Sequence, residues 1–432
     1  MQNGTASADK PRAIVIGGSA AGLLAAATLR RGGWQADVFE RSPVELVGRG
    51  AGIACHPELA EALDESGAGS EGLGIHVAER VAFDAGGAVA ARRDHPQIVT
   101  SWDRIHQLGR QAIPDPHYHL GRELVSVTQT EGAVIAVFAN GESVTGDVLV
   151  GADGFRSAVR GIFLPDVQPE YAGYVIWRGL VDEGDLPPEL HARIFRHFAF
   201  YFLPRYESIG YPIPGRNNDV REGHRRYNWV WYRGATPEQL AEILTDASGK
   251  RHEFGIPPAL LRPEVVGAMR EAAKEVITPP LLAALDHIAQ PFVTPIYDFC
   301  SPNFAFGRVA LIGDAAVTAR PHVGYGTTKA ACDAVALGRT LNAALGGDIP
   351  AALRAFEAER QPVGRKTYLR SRQLGDWMGV PRPSMALDEE EDHGVHTLHG
   401  ILRHTGSNEF LTGREPGRPI VEAELGDYEA AQ

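Results

Sequence analysis

The sequence predicts an α/β chain in which a parallel-sheet domain is interrupted by a mainly antiparallel β-sheet domain and closed by C-terminal helices. Three observations carry this. A strand–helix–strand unit opens the chain, the texture between about 170 and 235 turns aromatic and β-branched, and an α/β pattern returns near 300. In the opening unit, Arg12-Ala-Ile-Val-Ile-Gly-Gly is a short apolar strand ending in glycine. The Ala- and Leu-rich stretch Ala20 to Arg31 is a helix stopped by Gly32-Gly33, and Gln35 to Glu40 is the next strand. A unit of about 30 residues built this way is the start of a Rossmann-like parallel sheet.

The remaining elements follow in order. Strands flank the Gly86-Gly87 turn over 75–92, a helix covers 102–112, and strands alternate through 123–138. Val144 to Val150 reads as one buried strand running into Gly151-Ala-Asp-Gly. Tyr171, Tyr174, Trp177, Phe198, Tyr211, Trp229 and Trp231 then mark the antiparallel sheet. Helices are expected over 236–247, 258–289, 326–346 and 350–374, with a buried strand at Phe306 to Ile312. The segments group as a flexible leader 1–11, a discontinuous nucleotide-binding domain (12–74, 98–168, 293–380), a substrate domain (75–97, 169–292) and a tail 381–432. The tail holds the acidic run 388–392 and is expected to wrap the surface or stay partly disordered.

Composition narrows the function classes. The 432 residues are 44% hydrophobic and 22% charged, ordinary for a globular chain. Glycine is in excess, 49 residues where about 30 is average. A net charge of −12 argues against nucleic acid as the partner. Cys55, Cys300 and Cys332 form no disulfide or zinc pattern, so a cytoplasmic protein with no bound metal is expected. No stretch is long and apolar enough for a signal peptide or a membrane span.

Gly17-Gly-Ser-Ala-Ala-Gly22 sits between strand and helix, where a dinucleotide fingerprint belongs, with Gly17, Ser19 and Gly22 at its three key positions. Gly17 permits the sharp turn, Ser19 stands where backbone approaches a pyrophosphate, and Gly22 permits close helix packing. Ala20 and Ala21 place free N–H groups at the helix start. Glu40, 18 residues beyond Gly22, is where an acid meets ribose hydroxyls. The fingerprint alone does not separate NAD from FAD. Two further strand ends, Gly151-Ala-Asp-Gly-Phe-Arg-Ser157 and Gly313-Asp-Ala-Ala-Val-Thr-Ala-Arg-Pro-His-Val-Gly-Tyr-Gly326, are each common turns alone and informative together.

This triple resembles the flavoprotein aromatic hydroxylases, single-component FAD monooxygenases of the p-hydroxybenzoate hydroxylase type, over residues 12 to about 375. The runs Tyr171–Gly179, Tyr211–Arg216, Tyr227–Arg233 and Gly313–His322 resemble the hydroxypyridine-hydroxylating branch. The resemblance implies tightly bound FAD held by Gly17, Ser19, Ala20, Ala21, Gly22, Glu40, Arg41, Asp153, Asp314, Pro321, Gly324, Gly326 and Thr327. It also implies NAD(P)H as a transient co-substrate, O2 captured as a flavin C4a-hydroperoxide, a small aromatic substrate, and a homodimer. His322, His56 and Tyr211 become catalytic candidates, and His322, Tyr211, Trp177 and Arg178 substrate contacts. The ring is expected to be a dihydroxypyridine. A phenol or benzoate, a flavin protein without turnover, and an NAD-dependent dehydrogenase are the competing readings.

Overall fold

The computed structural model describes residues 10–46, 52–203, 205–378 and 397–412. The acidic run 388–392 and the leader's first nine residues lie outside them.

The opening unit forms as read: strand Arg12–Ile16, helix Ala20–Arg31, strand Gln35–Phe39. Arg12–Ile16 pairs in parallel with both Gln35–Phe39 and Val148–Gly151, which in turn pairs in parallel with Val309–Leu311. With the short strands Tyr118–His119 and Ala305–Phe306 at its edges, this makes a six-stranded sheet. Its strands are apolar without alternation because both faces are covered. Helices Ala20–Arg31 and Gly326–Ala343 pack with it into one core containing Val15, Leu24, Val150 and Leu337.

The stretch 144–150 divides where one strand was expected. Ser143–Gly146 joins a three-stranded antiparallel sheet, and Val148–Gly151 alone enters the parallel one. Asp147 at the break accepts the Arg12 backbone N–H at 2.7 Å, tying the two sheets together.

The second large sheet has nine strands. Phe292–Cys300, Glu170–Asp182, Arg226–Gly234, Tyr206–Ile213 and Phe198–Leu203 lie side by side, antiparallel. Ile75–Phe83 joins Phe198–Leu203 in parallel, Val89–Ser101 and Gly52–Cys55 complete that edge, and the two-residue strand Val317–Thr318 pairs with Phe292–Cys300 at the other. By hydrogen bonding, then, Gly52–Cys55 and Phe292–Cys300 belong to this sheet, although texture grouped them with the nucleotide layer. A short helix, Pro188–Ile194, also interrupts the stretch read as sheet. Helices Pro263–Val276 and Pro279–Asp286 cover one face, over Trp177, Trp229 and Trp231. Tyr174, Ile176, Tyr211 and Tyr232 lie on the other, which looks toward the parallel sheet's strand ends. The tail is not wholly peripheral: Leu398–His404 and Glu409–Thr412 are helical and pack against this second face and the loop at 323–325.

Candidate active site

A cavity of about 630 Å³ lies between the C-terminal ends of the parallel strands and the inner face of the nine-stranded sheet. That is where open α/β sheets bind ligands, because strand-end loops and helix N-termini converge there.

The first wall is Ser19, Ala20 and Ala21 at the start of the opening helix. Ser19 is the N-cap, but its hydroxyl makes no capping bond, and the helix begins with unpaired N–H groups facing the cavity. Gly17 adopts φ 110°, and a Cβ there would stand 2.4 Å from the Ala152 carbonyl oxygen. A Cβ on Gly22 would fall 2.0 Å from the Gly17 oxygen. Both glycines are therefore needed for close backbone approach, as the fingerprint requires. Gly18 is equally constrained: its Cβ would meet the Tyr118 hydroxyl at 2.4 Å, and its N–H donates to Glu40 Oε2 at 2.8 Å. Glu40 Oε1 accepts from the Ser42 N–H at 2.8 Å, so this buried carboxylate also braces the loop. Arg41 beside it is exposed and outside the cavity wall.

The second wall is Ala152 and Gly154. Asp153 between them is not among the lining residues. Its carboxylate accepts from Ser157 Oγ at 2.5 Å and from the N–H groups of Ala158 and Val159 at 2.6 and 3.2 Å. The side chain thus caps the helix Ala158–Phe163 and fixes the loop, a correction to its reading as a direct ligand contact.

The third wall is Asp314, Pro321, Gly324, Gly326 and Thr327. The Asp314 carboxylate takes no hydrogen bond or ion pair from the described residues and is exposed to the cavity. Behind it, buried Lys329 donates to the Gly313 carbonyl at 3.0 Å and to Asp333 at 2.7 Å. Asp333 accepts the Gly313 N–H at 3.2 Å and Arg360 at 2.9 Å, so this ion cluster holds the loop that presents Asp314. Arg320 also lines the cavity, its charge answered by Asp298 and Asp376, both at 2.5 Å.

The sheet forms the opposite wall through Arg178, Tyr211, Val230, Tyr232 and Thr294. Burial pushes the Tyr211 hydroxyl up to about 12, so it is a neutral donor near pH 7. Trp177 is corrected by strand alternation: its neighbour Arg178 faces the cavity, so Trp177 points into the core on the far face.

The two histidines are the other correction. His322 follows Pro321 but turns behind the wall, Nδ1 at 2.9 Å from Glu207 Oε2 and Nε2 at 3.2 Å from the Tyr174 hydroxyl, both partners buried. The Tyr232 ring, which lines the cavity, packs on it, centroid to centroid 4.4 Å. His56 is buried with Nδ1 at 3.0 Å from Thr328 Oγ1 and Nε2 at 3.0 Å from the Gly406 carbonyl. Burial first, then the nearby Arg80 charge, lowers its pKa to about 4. Neither imidazole lines the cavity, and each has both nitrogens engaged within the protein.

Several wall residues had no sequence signal. Trp102 lies at the start of the helix Trp102–Gln111, and Thr405 and Gly406 come from the tail. Fully buried Arg80 donates to the carbonyls of Leu402 and Thr405 at 3.0 and 2.6 Å and anchors that segment. No group of metal-ligating side chains and no helix long and apolar enough to cross a membrane occurs among the described residues.

Comparisons with known proteins agree with this geometry. The family profile described as "FAD binding domain" matches residues 274–371, and "FAD binding domain-like" matches 171–298. The chain belongs to the FAD-dependent aromatic monooxygenases. It is 32% identical to 2,6-dihydroxypyridine 3-monooxygenase of Paenarthrobacter nicotinovorans, over 82% of this chain and 88% of that one. It is 28% identical to 3-hydroxybenzoate 6-hydroxylase of Polaromonas naphthalenivorans, over 85% and 88%. The solved structure of 2,6-dihydroxypyridine-3-hydroxylase from Arthrobacter nicotinovorans superposes with a TM-score of 0.80 at 31% identity, covering 88% of this chain and 96% of that one. The enzyme uses FAD, NAD(P)H and O2.

Proposed function

We propose that the chain hydroxylates a small dihydroxylated heteroaromatic ring of the dihydroxypyridine type. The observation that carries this is a single cavity. Three glycine-bearing loops form one side of it and a wall bearing Tyr211, Tyr232 and Arg178 the other. The relative at 32% identity, named for a dihydroxypyridine, supports the choice of ring. FAD, when bound, supplies reduction by NAD(P)H and activation of O2. The protein's part is to hold that group and position the ring. The N–H groups at Ser19 to Gly22 would hold the pyrophosphate, Glu40 and Arg41 the adenosine side, and Asp314 the ribityl hydroxyls. The turn Gly324 to Thr327 would border the flavin ring. Asp153 and His56 act by holding these loops, and His322 supports the wall through Pro321 and Tyr232.

In this reading the nine-stranded sheet is the substrate domain, and the parallel sheet the FAD domain. The protein works as a homodimer in the cytoplasm without nucleic acid; its three free cysteines and acidic balance support the compartment and the absence of nucleic acid. The test is anaerobic reduction of the bound FAD by NADH with and without 2,6-dihydroxypyridine, followed by product analysis in air. Faster reduction and one added oxygen per NADH are expected. The same oxidation rate with every hydroxypyridine, and no hydroxylated product, would overturn the choice of ring.

A further inference from the structure

Among the described residues, two guanidinium groups line the cavity, and they differ in one respect. Arg320 is neutralised by Asp298 and Asp376. Arg178 has no hydrogen bond or ion pair with any described residue, and its Nε is buried without a partner. Residues Val230 and Phe292, directly across from Arg178 on the two adjoining strands, are apolar and also line the cavity. The hydroxyls of Tyr211 and Tyr232 share this wall, and neither makes a hydrogen bond to the described residues. Burial keeps both protonated, so they donate. Among the described residues, Asp314, on the cofactor side, is the only carboxylate in the cavity lining.

A half-buried cation without a counter-charge is costly, and the cost is recovered when a ligand supplies the charge. A fork of N–H donors flanked by phenols suits an anionic oxygen carried on a planar ring. We infer that Arg178 is the specificity-determining residue of this site and that the substrate is bound as an anion, its ring-borne oxyanion or carboxylate seated on the Arg178 guanidinium. This rests on the functional reading above for the identity of the ring, and on the cavity alone for its charge.

The test uses the FAD-loaded enzyme. Dissociation constants are read from the flavin absorbance change on titrating benzoate, an anion, and benzamide, its neutral isostere. KM and kcat are read with 2,6-dihydroxypyridine. Wild type should bind benzoate at least about tenfold more tightly than benzamide, the effect of one charge-assisted hydrogen bond. Arg178→Gln should erase that preference and raise KM by about 10- to 100-fold with a smaller change in kcat, and Arg178→Lys should restore part of it. If KM for the pyridine rises while the benzoate preference is small, the anionic group is a ring oxyanion; if both move together, a carboxylate is accepted too. Equal binding of benzoate and benzamide by wild type, together with an unchanged KM in Arg178→Gln of full FAD content, would overturn the inference. Should Arg178→Gln not retain FAD, wild type and Arg178→Lys decide it, Lys keeping the charge. Failure of wild type to hydroxylate any ring would remove the functional reading and leave the benzoate comparison standing.

Discussion

Gly17 shows how one residue commits a loop to close approach. Its φ of 110° and the 2.4 Å that a Cβ would leave to the Ala152 oxygen make any side chain there a clash with backbone. Gly17→Ala is expected to lose FAD on purification and to lower stability by at least about 2 kcal/mol in urea denaturation. Trp177 is the converse. It faces the helix-covered core, with its indole N–H already unpaired, so Trp177→Phe should leave KM for the aromatic substrate unchanged and affect only stability. Unchanged urea midpoints with a raised KM would contradict the assigned face. At this scale the phosphate-side residues were legible, because their demand is local: a tight turn and free N–H groups within six residues. The histidines were not. His322 is adjacent in sequence to a wall residue, but its direction is set by Glu207, more than a hundred residues away, and by Tyr174.

At the scale of elements, the tail segment 397–412 is the instructive case. Its helices are too short to be stable alone, and the structure holds them by contacts from distant parts of the chain: Arg80 to the carbonyls of Leu402 and Thr405, His56 to the Gly406 carbonyl, and Gly406 N–H to the His322 carbonyl at 3.0 Å. Gly324 and Gly406 approach so closely that a Cβ on Gly324 would lie 2.5 Å from the Gly406 Cα. The acid response comes from His95, whose pKa burial lowers to about 4, and from His56. Its folded pKa of about 4 is below the ordinary 6.5, so protonation favours the unfolded chain. The His56 share of the stability should be intact above pH 6.5 and fall by up to about 3 kcal/mol as pH drops from 6.5 to 4. His56→Gln should make that fall shallower, as measured by urea midpoints at pH 7, 5.5 and 4. A profile identical to wild type would show that another group governs the acid loss.

For the whole molecule, the cavity belongs to neither sheet alone. The parallel sheet contributes loops and helix N-termini, and the nine-stranded sheet contributes a wall of side chains. A ligand that bridges them should stabilise the chain as a unit. FAD at about 100 times its Kd adds about 2.7 kcal/mol to unfolding, read as a higher melting temperature of the yellow holoprotein than of the stripped one. No shift on reloading would mean that the three loops do not form one cofactor site.

The linear sequence by itself determined the parallel unit at 12–40, the antiparallel texture of 170–235 and the three glycine clusters, because these follow from hydrophobic period, turn chemistry and spacing over a few residues. It also determined the family. The tertiary structure alone decided which sheet owns Gly52–Cys55 and Phe292–Cys300, which face Trp177 and Arg178 take, that Asp153, His56 and His322 turn inward, and that part of the tail walls the cavity. Those are outcomes of strand register and long-range packing, where a single residue of shift exchanges core for cavity and where the partners stand a hundred or more residues apart.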